Sequence, residues 1–164
     1  MLDHVRRMYL EAMDRVHDAD LLNQSMRERS NASALMRILA FEVLLKAAIL
    51  LHGQEPKASH AYAKLWKALP GKVQKQLLAI AEDRMSGHTD FSDLPALLTS
   101  FQVTFEKARY GYEPLEGYSL AEQRELESIW LESGSVPSEA LFSHRPLELV
   151  CLVEALSEHI GHAL

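Results

Sequence analysis

The 164-residue sequence predicts an all-α protein, a bundle of about five to seven helices forming one domain. Three observations carry that expectation. Apolar residues recur three and four positions apart along nearly the whole chain, which is the period of a helix with one buried face. The apolar–polar alternation of a half-buried strand is nearly absent. Glycines and prolines fall between the periodic segments, where helices stop and start.

The first helix is expected from Leu2 to about Leu22, with Val5, Met8, Tyr9, Ala12, Met13 and Val16 on one face. A polar stretch from Asn23 to Ser33 follows, in which Ser30, Asn31 or Ser33 can cap the second helix. That helix, about Ala34 to His52, is apolar on nearly all sides and belongs at the centre of a bundle; Gly53 and Pro56 end it. Tyr62, Leu65, Trp66 and Leu69 lie at helical spacing in a short helix closed by Pro70-Gly71. Val73 to Met85 reads as the next helix, stopped by Ser86-Gly87.

Ser92 or Asp93 caps a further helix, with Pro95 in its first turn and Leu94, Leu97, Leu98, Phe101, Phe105 and Ala108 along one face. It closes near Tyr110-Gly111. Ser119 and Glu122 have the spacing of a capping box for a charge-rich helix reaching about Glu132, which Trp130 is expected to anchor. Residues 133–143 read as a loop. A last helix from Pro146 carries Leu149, Leu152, Val153, Leu156, Ile160 and Ala163 in a stripe.

A formal charge of −6 argues against a generally basic nucleic-acid coat, although a local basic groove stays compatible with it. The lone Cys151 excludes an intrachain disulfide and reads as a buried, inert thiol. The apolar run from Ile38 to Leu51 is broken by Glu42 and Lys46 and falls short of the ~20 residues that cross a bilayer. The first twenty residues lack the apolar core of a secretory signal. A cytoplasmic protein without membrane contact is the expectation. There is no phosphate-binding glycine loop, nucleophile elbow or zinc knuckle, so neither a cofactor nor a metal is expected.

Functional information lies in the order of three segments. Ala40-Phe-Glu-Val-Leu-Leu-Lys-Ala47 sits in the central helix before Gly53. Ser59-His60-Ala-Tyr-Ala-Lys-Leu65 opens the short helix, and Phe105-Glu-Lys-Ala-Arg109-Tyr110-Gly-Tyr112-Glu113 closes a later one. Spanning about half the chain, this order resembles the HEPN superfamily of nucleotide-binding helical domains. The resemblance implies a four- or five-helix bundle that forms a homodimer. In active relatives it implies metal-independent RNA cleavage by an arginine followed four to six residues on by a histidine. Arg109 stands where that arginine is expected, but Glu113, Pro114, Leu115 and Glu116 occupy the positions beyond it. A missing histidine removes the side chain that titrates near neutral pH and moves protons.

Taken by themselves, these residues admit two readings each. Arg109 flanks an apolar face and serves either as an ion-pair partner of Glu42, Glu106 or Glu113, or as a phosphate clamp. Tyr110 and Tyr112 offer rings for stacking on bases. Glu42 and Lys46 have the spacing of an intrahelical pair, lining either a polar seam in the bundle or a plain surface stripe. His60 is a local cap or a pocket residue beside Arg109. His159 and His162 have a spacing that can bind metal but are expected to face solvent, and Gly87 makes Arg84 and His88 a helix end. The expected function is a divergent, non-catalytic HEPN-like module binding RNA, nucleotide or a protein partner, in a toxin–antitoxin or phage-defence setting. A metal-independent endoribonuclease and a purely structural interaction bundle are the alternatives.

Overall fold

The structure, a computed structural model, describes residues 1–25, 31–108, 116–132 and 145–164. Among the described residues there are seven helices and no strand: α1 (Leu2–Ser25), α2 (Asn31–Leu51), α3 (Tyr62–Ala68), α4 (Gly71–Arg84), α5 (Leu94–Ala108), α6 (Leu120–Glu132) and α7 (Pro146–Gly161). The all-α expectation holds. Arg109, Tyr110, Tyr112, Glu113 and the 133–143 loop lie outside the described residues, as does the side chain of Trp130.

Helix α2 is the axis. Ile38, Phe41, Leu44, Leu45 and Ile49 are fully buried on it, together with Ala40, Ala47 and Ala48, so nearly every side meets protein. Helix α1 lies along one flank, α7 along another, and α3 and α5 close a third; α4 packs on the outside of α7. Val5, Ala12 and Ala19 recur every seventh residue on the inner face of α1, and two of the three are small enough to let helices approach closely. Leu149, Leu152, Leu156 and Ile160 form the matching stripe of α7; Ala163 lies beyond its end and is exposed. Phe41 meets Tyr62 and Phe101 edge-on, at centroid distances of 5.5 and 5.7 Å, which ties α2 to α3 and α5.

Local signals set the ends. Gly53 adopts φ +77°, and the amides of Gly53 and Gln54 donate to the carbonyls of Leu50 and Ile49, the paired bonds that close a helix through a left-handed residue. Asp93 is the cap of α5, its Oδ1 accepting from the Ala96 amide at 3.0 Å. Ser119 and Glu122 form the reciprocal box: Oε2 accepts from the Ser119 amide at 2.7 Å, and the Ser119 hydroxyl accepts from the Glu122 amide at 3.3 Å. Boundaries move where propensity is outweighed by context. Helix α1 continues to Ser25, α2 begins at Asn31 with Ser33 already buried inside it, and α4 begins at Gly71 with Pro70 as its cap.

Candidate functional site

Glu42 projects from the middle of α2, where its neighbours are apolar and its own side chain is 8% exposed. A carboxylate so placed is costly without donors. Three reach it. Lys46, one turn further along, donates to Oε1 at 2.6 Å, as the i, i+4 spacing allows. His60 Nδ1 lies 2.7 Å from Oε2, and the Tyr62 hydroxyl donates to the same oxygen at 3.1 Å. The pair read from spacing therefore lines a polar seam inside the bundle and is no surface stripe.

The turn from α2 to α3 aims His60. Ser59 Oγ accepts from the Ala61 amide at 3.0 Å, holding a local bend just before Tyr62 opens α3. Phe105, near the end of α5, sits against the imidazole at a centroid distance of 4.9 Å. Four parts of the fold thus converge here: α2, the connection at 52–61, α3 and α5. Helical spacing puts Tyr62 and Phe105 on apolar faces and says no more of them. Both are buried, but each also touches a polar side chain of the cluster, which hydrophobic spacing does not reveal.

The electrostatics keep Glu42 ionised. Burial pushes its pKa up, but hydrogen bonds from Lys46 and His60, reinforced by their charge, prevail and hold it below the usual glutamate range. An ionised carboxylate on Nδ1 places a proton there and fixes the tautomer and ring orientation. The side chain of His60 is half exposed, so its Nε2 edge is the part available to solvent or a ligand. Such an arrangement can accept or donate one proton or hydrogen-bond an anion.

A second buried carboxylate, not singled out by sequence, lies at the start of α7. Glu148 in the first turn of α7 is 5% exposed. Its Oε1 accepts from Arg145 Nε at 3.1 Å, from Arg145 Nη2 at 2.7 Å and from the Asp90 amide at 3.1 Å. Burial raises its pKa; the Arg145 bonds and backbone amides outweigh that and lower it. Nearby, Arg84 reaches from α4 to Glu154 at 3.0 Å and to Glu158 on α7, so it is a cross-helix tie as well as a helix end.

The histidines of α7 correct the sequence reading. His159 does not face solvent: it is half-buried, its Nε2 2.9 Å from Nε2 of His52. The rings are 5.2 Å apart between centroids and 28° from coplanar, so they meet edge to edge and share one hydrogen. Burial, then the nearby His52 and His162, lowers the pKa of His159. His162 is exposed as expected. Among the described residues no three His, Cys, Asp or Glu side chains converge in a way that could hold a metal ion. Cys151 is fully buried with its thiol pKa raised, first by burial and then by the acidic side chains near it. No helix is long and apolar enough to cross a membrane among the described residues.

No family model, curated protein or solved structure matches this chain.

Proposed function

We propose that the protein is a divergent HEPN-like module that binds a nucleotide or an RNA end at the Glu42–His60 cluster, without catalysis of its own. The observation that carries this reading is the buried Glu42 holding Lys46, His60 and Tyr62 together while half of the His60 ring stays open. Orientation by a carboxylate lowers the ordering cost of using that ring to meet a phosphate or a base edge. Arg109, Tyr110, Tyr112 and Glu113 follow α5 directly in sequence and are the residues that the HEPN resemblance offers for such a site. The test is thermal melting with adenosine monophosphate and short RNA. Each is expected to raise the melting temperature of the wild type in a salt-sensitive way and to leave His60→Ala unmoved. Equal shifts in both proteins would remove the cluster from the binding site.

One feature favours a second reading, metal-independent RNA cleavage. A carboxylate on Nδ1 leaves Nε2 as a base, the arrangement in which an imidazole takes a proton from a hydroxyl and returns it to a leaving oxygen. His60 then stands in for the histidine missing after Arg109. Cleavage of mixed single-stranded RNA in EDTA that disappears in both His60→Ala and Arg109→Ala would establish it. No cleavage by the wild type would leave the binding module.

A further inference from the structure

The acidic balance of the chain is not evenly spread. Between Glu55 and Glu82 there is no Asp or Glu at all, yet Lys57, Lys64, Lys67, Lys72 and Lys75 lie there, five of the 17 basic residues. The remaining 12 face 23 acidic side chains elsewhere. All five lysines are exposed, and among the described residues none of them enters an ion pair. An acidic protein that collects unpaired lysines on one short stretch has built a local positive field.

The fold holds these charges in a defined place. On α3 the inward residues Tyr62, Leu65 and Trp66 leave Lys64 and Lys67 pointing out; on α4 the inward Val73, Leu77 and Ala81 do the same for Lys72 and Lys75. The corner between the helices is pinned, because Gln74 Nε2 donates to the Leu69 carbonyl at 2.8 Å. His60 lies two residues before α3, between Lys57 and Lys64 in sequence. None of the exposed large apolar side chains lies between residues 56 and 81. A surface meant to enter a membrane carries apolar residues among its basic ones, whereas one that tracks phosphates does not need them.

We infer that the exposed lysines of α3 and α4 form a track for the phosphate backbone of a single-stranded nucleic acid, which leads the strand to His60. This rests on the reading of the Glu42 cluster for where the strand ends, but not for the surface itself. Lysine as a point charge meets phosphates without reading sequence, so binding along the track is sequence-tolerant and strongly salt-dependent.

The test uses the full chain and labelled 12-nucleotide RNA and DNA of one sequence, titrated from low to moderate salt. With about five phosphate contacts the logarithm of affinity should fall with the logarithm of salt at a slope of roughly −3 to −4. The variant carrying Lys64→Gln, Lys67→Gln, Lys72→Gln and Lys75→Gln, which removes only exposed charge, should lose at least tenfold in affinity at low salt, its slope dropping to about −1. Binding of RNA, DNA or both in this manner supports the track, and the preferred strand identifies the source of the phosphates. A flat slope in the wild type would overturn it, as would a variant that melts like the wild type and keeps its slope. Capture by vesicles of phosphatidylserine and phosphatidylcholine, with neither strand bound, would overturn it in favour of a lipid surface. His60 resonances separate the two readings. Nucleotide-induced shifts there with a flat slope sink the track alone; a steep slope with silent resonances keeps the track and sinks the pocket.

Discussion

The two buried glutamates, Glu42 and Glu148, are alike in burial and in the direction of their pKa, yet they are held by different donors. Glu148 is met by a guanidinium, which does not deprotonate, and by a backbone amide. The carboxylate ties the start of α7 to the turn before α5. Glu42 is met by an imidazole, an ammonium and a phenol. One of those donors, His60, stays half exposed. Burial and ionisation alone therefore do not distinguish the two carboxylates; the identity and exposure of their donors do.

The largest test of that contrast is truncation. Glu42→Ala removes the ion-pair partner of the mostly buried Lys46 and an acceptor of the buried Tyr62 hydroxyl, and should cost about 3 kcal/mol in chemical denaturation. Glu148→Ala should cost less, about 2 kcal/mol, because Arg145 is 31% exposed and can turn to water. The reverse order would mean that the α7 seam is the more dependent of the two. Acid acts on both. Their folded pKa values lie below the unfolded ones, so their stabilisation is complete above the ordinary glutamate range and disappears as pH falls through the lowered values. Stability measured from pH 6 to pH 3 should drop steeply, and the drop should be shallower in Glu42→Gln.

Smaller changes sharpen the comparison. Tyr62→Phe deletes one of three donors and keeps the packing against Phe41; a cost of about 1 kcal/mol is expected. His159 gives a separate, gentler pH dependence. Its folded pKa is lowered, so its contribution is complete above the ordinary histidine range and is lost as pH falls towards the lowered value. His159→Asn should flatten the stability curve just below neutrality without altering the acid limb. The smallest effect on stability belongs to His60→Ala, about 0.5 kcal/mol or less, since the ring is half exposed. Its effect on ligand binding should be the largest of the set. A variant that unfolds instead would make His60 a structural donor like Arg145.

Much of the fold was legible because each helix carries its own signals. The unbroken apolar surface of α2 gave its central position, and Gly53, Asp93 and the Ser119–Glu122 box gave ends that the structure repeats. The site was legible only where its parts are local. Glu42 and Lys46 pair through helix spacing, but His60 joins them by closing a loop of eighteen residues, and no periodicity describes that closure. His159 was assigned to solvent because a helical wheel shows which face of α7 is apolar, not that the end of α2 arrives beside it. Arg145 and Glu148 are not singled out by sequence for the same reason. The lysines of α3 and α4 stand in a stretch without acids between Glu55 and Glu82, which net charge averaged over the whole chain conceals.

The burial of Cys151 makes the protein its own probe of motion. Its sulfur lies at the core of α7, which packs against both α2 and α4. With no other thiol in the chain, a colourless-to-coloured reaction with a disulfide reagent counts one event only, the parting of those helices. At low reagent the labelling rate reports how often the closed form opens multiplied by how long it stays open; at high reagent it reports the opening rate itself. A ligand held by α2, α3 and α5 would slow that reaction from a distance, so occupancy could be timed at an atom the ligand never touches.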